Sequence, residues 1–394
     1  MKFPNLFRPI KINNLVLKNR IIATPAGPFD DKSIGGAGVV IAGSSIVDRR
    51  RAGFIRWDEP YPFDRYQVEA TRKRVIVAKQ AGAKACLELI HCGQYARTND
   101  YAIGPTAFVR EDGIEVRAMD EAMMGEIADR WAETAASAKE LGFDMIMLHF
   151  AHGWLATEFL SPLFNKRTDS YGGCLENRAR FPAMIIDRVR SAVGKDYPVD
   201  MRISAYEWVE GSIEPSDVVG FVKMVQDKID MVHISSGLDI NHEANVHMTA
   251  TFFDPHMINA GWAAEVKRNV RIPVAVVGSI MTPAEAEGLI ASGRADMVAL
   301  GRPLIADPLW PKKAQEGRDD DIVPCIRCLF CYHISTNRKN VACAVNPRYM
   351  KYDLVPLKLQ KAEKSRKVVV IGGGPAGMKA ALVAEERGHR VALL

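Results

Sequence analysis

The stretch 273–301, PVAVVGSIMTPAEAEGLIASGRADMVALG, contains a complete strand–helix–strand unit. Pro273–Gly278 is a short, continuously apolar, β-rich run, as expected of a strand buried on both faces. Thr282-Pro283 follows as a polar cap with proline at the first helical position, and Pro283–Ser292 carries the helical pattern. Asp296–Leu300 is the next apolar run. Two such strands joined by a helix form a parallel βαβ unit.

The same alternation extends back to the start of the chain. Further strands are predicted at Arg20–Thr24, Gly38–Gly43, Ala83–Leu89, Asp144–His149, Val199–Ser204 and Asp230–Ser235, and helices at Phe63–Gln80, Met124–Leu141, Asn177–Val193, Pro215–Lys228 and Met257–Arg268. Eight strand–helix repeats over about 300 residues specify an α/β chain built on a TIM (β/α)8 barrel, whose chemistry sits on loops at the C-terminal strand ends. One connection is irregular. Pro25 to Ala37 is long enough to cross between parallel strands but too short for a full helix, so a short, movable loop over the barrel mouth is expected.

The composition narrows the function classes. Of 394 residues, 48% are apolar and 25% charged, which excludes disordered and collagen-like chains. No apolar run approaches the length of a membrane span, and Pro4 and Asn5 interrupt the N-terminus where a signal peptide needs an apolar core. A net charge of +5 over this length is too mild for a nucleic-acid partner. The basic clusters Arg49-Arg50-Arg51 and Arg72-Lys73-Arg74 read as solvated faces rather than anion sites. A homo-oligomer is left open.

Seven cysteines are unevenly spread: Cys86, Cys92 and Cys174 stand alone, while Cys325, Cys328, Cys331 and Cys343 fall within nineteen residues. One tight cluster in a long chain indicates a metal centre in a reducing compartment, which predicts the cytoplasm. Three thiols on one turn and a fourth from a returning segment suit a [4Fe–4S] cluster. Zinc, which four cysteines also satisfy, is the competitor; four free buried cysteines are the third alternative.

The expected domains are a barrel over 1–320, a cysteine segment over 321–350, a lysine-rich linker over 351–366, and the start of a Rossmann-like dinucleotide-binding domain over 367–394. In the last, Gly372, Gly374 and Gly377 fit G-x-G-x-x-G between an apolar strand and an Ala-rich helix. The acidic residue expected about twenty positions on is not reached before Leu394, so the chain is read as the front part of a longer protein.

Two motifs fall at barrel strand ends. Gly278-Ser279 and Gly301-Arg302 follow strands seven and eight, the usual phosphate position of this fold, where backbone N–H groups and a bidentate arginine suit phosphate oxygens. The plainer reading is that these glycines only end strands. His149 and His152 close strand four; with no carboxylate nearby to complete a metal triad, they read as substrate-binding residues.

With these residues in hand, the chain resembles the old yellow enzyme family. The likeness is to its iron–sulfur branch of 2,4-dienoyl-CoA reductase, 2-enoate reductases and trimethylamine dehydrogenase. The resemblance runs through Leu17-Lys-Asn-Arg-Ile21, Glu88-Leu-Ile-His91-Cys-Gly93, His149-x-x-His152-Gly, Glu158-Phe-Leu-Ser-Pro, Asn165-Lys-Arg-Thr-Asp-Ser-Tyr-Gly-Gly, Glu176-Asn-Arg-Ala-Arg-Phe181, Arg202 and the four cysteines. It implies FMN in the barrel, held by Pro25, Ala26, Gly27, Ser44, Glu88, Arg202, Gly278, Ser279, Gly301 and Arg302. It also implies a [4Fe–4S] cluster on the cysteines, FAD in the domain begun by Gly372, Gly374 and Gly377, and NAD(P)H as electron donor. The substrate would be a small α,β-unsaturated carbonyl compound whose C=C bond is reduced, with His149 and His152 on its carbonyl oxygen.

The sequence also departs from the family. Glu88 stands where glutamine is usual, and Gly27 where threonine or cysteine tunes the flavin. The two-residue gaps between the first three cysteines resemble those of the amine dehydrogenases. No cysteine near Pro25 offers a covalent flavin link. Trp154 occupies the place of the tyrosine that delivers the α-carbon proton, and an indole is no acid near neutral pH. The resemblance to dienoyl-CoA reductases then implies a catalytic role for His242, in His242-Glu-Ala; the bland reading is a solvated loop residue.

Three functional readings follow. The first is an ene-reductase. The second is an amine dehydrogenase passing electrons outward, with an aromatic bowl from Trp57, Tyr61, Trp154 and Trp262. The third is a non-catalytic electron-transfer module.

Overall fold

A computed structural model describes residues 2–48, 65–98, 100–336, 341–352 and 354–394. It divides into two compact units, Met1–Asn346 and Pro347–Leu394. The first contains a closed barrel of parallel strands, here β1 Ile21–Ala23, β2 Val39–Ile46, β3 Lys84–Ile90, β4 Met145–Phe150, β5 Val199–Ser204, β6 Met231–Ser235, β7 Val274–Val277 and β8 Met297–Leu300. These are the eight predicted strands. The six predicted helices are present as well, at Arg65–Gln80, Glu121–Glu140, Arg180–Val193, Pro215–Val225, Ala260–Asn269 and Pro283–Ala291.

Period-two alternation, hidden in the sequence because both faces are buried, separates two cores. Ile146, Leu148 and Phe150 of β4 face the helices, whereas Met145 and Met147 join Ile22, Val39, Ile41, Cys86, Met231, Ala275, Met297 and Ala299 inside the barrel. A hairpin of Ile10–Ile12 and Leu15–Leu17 adds Ile12 and Leu17 to this inner core. Further along the strands the inner positions turn polar: Glu88, His149, Asp200, Arg202, His233 and Ser235. An apolar floor under a charged upper layer is what directs chemistry to the C-terminal end.

The helix after β7 shows how local sequence fixes an element. The Thr282 hydroxyl accepts from the Glu285 N–H, and the Glu285 carboxylate accepts from the N–H groups of Met281 and Thr282. Such a capping box stabilises a helix by about 1 kcal/mol.

The connection between β1 and β2 corrects the expectation. In place of a movable loop it holds a short helix, Phe29–Ile34. A Cβ on Gly35 would stand 1.8 Å from the Pro308 carbonyl oxygen, and the Lys312 N–H donates to the Gly35 carbonyl at 3.0 Å, so the segment is docked against the helix Trp310–Gln315. Lys32 on this helix is buried and donates to the carbonyls of Thr24 and Ala26. Burial brings its pKa from 10.5 down to about 7. Between these values the unfolded chain holds the extra proton, so stability rises with pH. Relative to Lys32→Met, the native protein is expected to gain about 3 kcal/mol between about pH 7 and pH 9.5 in urea unfolding. A difference flat with pH would show that the ammonium stays charged in the fold.

The cysteine segment up to Asn346 belongs to the barrel unit. Part of the expected linker belongs to the second unit, where Lys361, Ala362 and Ser365 bond to the backbone of Glu386, Arg387 and Gly388. That unit pairs Lys367–Val370 in parallel with Arg390–Leu393 around the helix Pro375–Glu386. The glycine pattern is structurally required there: Gly372 has φ of 104°, and a Cβ on Gly377 would stand 1.8 Å from the Gly372 carbonyl oxygen. Gly374 caps the helix. Arg72, Lys73 and Arg74 are exposed, as read from the sequence, while Arg49-Arg50-Arg51 lie outside the described residues.

Candidate active site

A bulge in β2 opens one side of the barrel mouth. Its register with β3 breaks between Ala42 and Ser45, and Gly43 and Ser44 are exposed, as is Ala26 after β1, with Pro25 and Gly27 half-buried beside it. From the bulge the Ser44 hydroxyl donates to Glu88 Oε1 at 2.6 Å. Glu88 Oε2 lies 3.9 Å from an Arg202 nitrogen, and among the described residues it accepts no hydrogen bond and Arg202 Nε has no partner. Burial pushes the Glu88 carboxyl up, opposed by Arg202 and Ser44. An unsatisfied acceptor beside an unsatisfied donor, both buried, fits a flat group with an N–H and a carbonyl on one edge.

Next along the mouth, Arg202 donates to Ser235 Oγ at 3.2 Å, and Ser235 Oγ lies 2.8 Å from His152 Nε2. A hydroxyl that accepts from Arg202 keeps its proton and a second lone pair for His152 Nε2, so Ser235 pairs with either tautomer of that ring. His149 Nδ1 accepts from the Ala151 N–H at 3.3 Å, so its proton is on Nε2. The two rings stand 5.0 Å apart, edge to face. Burial, then Arg202, holds both pKa values well below 6.5, so at neutral pH each ring is uncharged. His152 has φ of 65°, a strained conformation held by the Ser204 hydroxyl on its N–H and the Asp239 N–H on its carbonyl.

Trp154 is buried. Its side chain sits in a small cluster with Ile90, Cys92 and Ala96. Trp262 packs elsewhere, against Tyr206 and Trp208, and among the described residues no ring contact joins the two tryptophans. Trp57 and Tyr61 lie outside the described residues. His242 is exposed at the start of the helix His242–Thr249, and among the described residues no hydrogen bond joins it to His149 or His152. It follows closely on Asp239, the residue bonded to the His152 carbonyl.

At the ends of β7 and β8 the backbone is tightly folded. A Cβ on Gly278 would meet Asn259 at 2.7 Å, Ser279 has φ of 52°, and a Cβ on Gly301 would meet Thr24 Oγ1 at 2.9 Å. Arg302 is half-buried, and its NH1, without a hydrogen-bond partner among the described residues, belongs to a side chain that lines a cavity with Cys325, Cys328, Cys331 and Cys343. Among the described residues no three Cys, His, Asp or Glu side chains converge on a single ion. Burial and the neighbouring Cys343 and Cys325 push the Cys331 thiol up to about 11.

The cysteine loop carries a residue that sequence reasoning missed. Arg327 is buried and donates to the carbonyls of Asp254 and Phe252 and to Ser279 Oγ at 3.1 Å, tying the cysteine loop to the loop after β7. The available signal was a cation inside Cys325-Ile-Arg-Cys328. Arg327 and Leu329 have φ of 53° and 56°. Left-handed residues on either side of Cys328 turn successive N–H groups into a concavity suited to an anionic group. Tyr332 completes the attachment, its hydroxyl donating to Asp239 at 2.9 Å.

The motif-rich stretch after β4 is scaffold. Glu158, wholly buried, accepts from the Gln94 N–H, and a Cβ on Gly93 would stand 2.3 Å from its carboxylate. Asn165 donates to the carbonyls of Phe159 and Tyr171, and Arg178 to that of Leu160.

The NADH:flavin oxidoreductase / NADH oxidase family matches residues 5–321. The chain belongs to that family. An FAD binding domain matches residues 367–394 of this flavin oxidoreductase. It is 37% identical to an NADH oxidase of Thermoanaerobacter brockii, over 99% of this chain and 63% of the relative. It is 30% identical to a cinnamate reductase of Clostridium sporogenes, over 99% of this chain and 64% of that one. The structure of histamine dehydrogenase from Rhizobium sp. 4-9 superposes with a TM-score of 0.89 at 27% identity, covering 100% of this chain and 60% of that one. The chain thus spans less than two thirds of the length of these relatives. No helix among the described residues is long and apolar enough to cross a membrane.

Proposed function

We propose that this chain is the substrate-reducing part of an NAD(P)H-dependent ene-reductase that reduces the C=C bond of an α,β-unsaturated carbonyl compound. The observation that carries the proposal is the pair of uncharged, buried imidazoles at the barrel mouth, His149 with its Nε2–H to donate and His152 paired through Nε2 with Ser235. Addition at the β-carbon builds enolate charge on the carbonyl oxygen, and donors fixed in advance stabilise that charge. Their neutrality keeps the site from binding simple anions in place of the substrate. The cinnamate reductase relative supports this substrate class.

FMN, when bound, supplies the hydride. Glu88 and Arg202 are assigned to its pyrimidine edge, where their unsatisfied atoms fit. The exposed strand ends at Pro25–Gly27 and Ser44 are assigned to its ring, and the Gly278-Ser279 and Gly301-Arg302 loops to its phosphate. Cys325, Cys328, Cys331 and Cys343 are assigned to a [4Fe–4S] cluster. Four thiols lining one cavity, three from a single turn and the fourth from a returning segment, suit a multi-iron group, and Arg302 on the same cavity suits its negative charge. FAD and NAD(P)H would feed electrons through the domain begun at Lys367. Proton delivery to the α-carbon is assigned to His242.

The deciding experiment reduces the full-length protein with NADH and mixes it with an enone or enoyl-CoA in a stopped-flow instrument. Flavin reoxidation is expected. If simple amines bleach the oxidised flavin while enones do nothing, the amine-dehydrogenase reading, favoured by the cysteine spacing and the histamine dehydrogenase likeness, replaces it.

Glu88 offers a check on flavin placement. A carboxylate beside the flavin opposes electron uptake, so Glu88→Gln is expected to raise the flavin midpoint potential in spectroelectrochemical titration. An unchanged or lowered potential would place Glu88 away from the flavin.

A further inference from the structure

Asp200 and His233 form a second buried pair that the proposed reaction does not use. Their side chains are 1% and 0% exposed, inside a barrel otherwise floored with Ile, Val, Met and Ala. His233 Nδ1 lies 3.7 Å from Asp200 Oδ2, too long for a direct hydrogen bond, and among the described residues neither His233 nitrogen nor Asp200 Oδ1 has a hydrogen-bond partner. Burying such groups unsatisfied is destabilising, and the barrel would avoid it with two more apolar side chains.

Their position supplies a reason. In register, His233 stands beside Arg202, and Arg202 beside His149, while Asp200 lies one inner position below Arg202. The titratable groups facing the pair are Cys86 and Glu88 of β3, His149 of β4, His152 just after it and Arg202 of β5; β7, β8, β1 and β2 present Ala275, Met297, Ala299, Ile22 and Ile41. With both imidazoles neutral, the carboxylates of Glu88 and Asp200 outweigh the single guanidinium of Arg202 by one negative charge. Each further negative charge above Arg202 increases the pair's attraction for a proton.

We propose that Asp200 and His233 together bind one proton, taken from water when the group above Arg202 gains negative charge and returned when that charge leaves. The inference rests on the placement of FMN at Glu88 and Arg202. Asp200 and His233 are positioning residues that act through Arg202. Because charge and proton favour each other reciprocally, the pair eases electron uptake that Glu88 opposes. Above the proton affinity of the reduced state the pair stays empty, and below that of the oxidised state it stays filled; the coupling operates between the two.

The test follows proton uptake by the full-length, FMN-loaded protein during photoreduction in weak buffer with an indicator dye. The native protein is expected to take up about one more proton per flavin reduced than Asp200→Asn or His233→Gln. Redox difference infrared spectra of the native protein should contain carboxyl or imidazole bands that disappear in these variants, and the native spectrum decides even if a variant fails to fold. Equal proton uptake, or no such bands while the flavin is bound and reduced normally, overturns the proposal alone. A protein that binds no flavin overturns the flavin placement and this proposal together.

Discussion

Replacing Cys328 by serine is expected to remove the iron and labile sulfide from the protein and to abolish NADH-driven reduction of the barrel flavin, while the flavin itself stays bound. Cys328 stands between two left-handed residues and shares its cavity with the other three thiols and Arg302. Three thiolates leave a cubane with an open iron, and serine is a poor substitute for a soft ligand. The flavin contacts assigned above lie on strand ends, and Arg327 holds the cysteine loop to the loop after β7 by three hydrogen bonds. The loop should therefore survive loss of its metal. Dithionite, which needs no internal relay, should still reduce the flavin in the variant. The checks are iron and sulfide analysis of anaerobically prepared protein, and reduction followed separately with NADH and dithionite. One zinc and no iron in the native protein would replace the cluster assignment. Normal NADH reduction in the iron-free variant would remove the cluster from the electron route.

A His242→Gln variant is expected to be reduced at the normal rate and reoxidised by enone roughly 10²–10⁴-fold more slowly, the usual worth of a general acid. The side chains nearest the proposed substrate carbonyl cannot serve. His149 and His152 are held neutral and are assigned to the oxygen, and the Trp154 indole is packed among Ile90, Cys92 and Ala96. His242 is exposed at a helix start on the loop whose Asp239 bonds to the His152 carbonyl, and glutamine keeps a polar side chain there while removing the titratable ring. Measuring the two half-reactions separately distinguishes proton delivery from damage to flavin or cluster, which would also slow reduction. If reoxidation is unaffected, solvent protonates the α-carbon and His242 has no catalytic part.

The barrel was legible in the sequence because parallel strands buried on both faces write themselves as continuous apolar runs, and because Thr282-Pro283 marks a helix start whatever surrounds it. The histidine pair, the cysteine spacing and the glycine fingerprint were legible for a related reason: each depends on residues close in the chain, where spacing nearly fixes geometry. The connection after β1 was misread because its order comes from docking Gly35 against Pro308, a contact made far along the chain. Arg302 suited phosphate by its position, yet only the returning cysteine segment gives its side chain the thiol cavity to line. The tautomer of His149 depends on Ala151 nearby, but the hydrogen bonds at His152 Nε2 depend on Ser235 and Arg202 from other strands. The same continuous apolar pattern that revealed the strands concealed which positions face inward, since period-two alternation is invisible when both faces are buried. Barrel closure decides that Glu88, Asp200, Arg202 and His233 share one interior, because β3, β5 and β6, distant in sequence, enclose a common space only when the first strand pairs with the eighth.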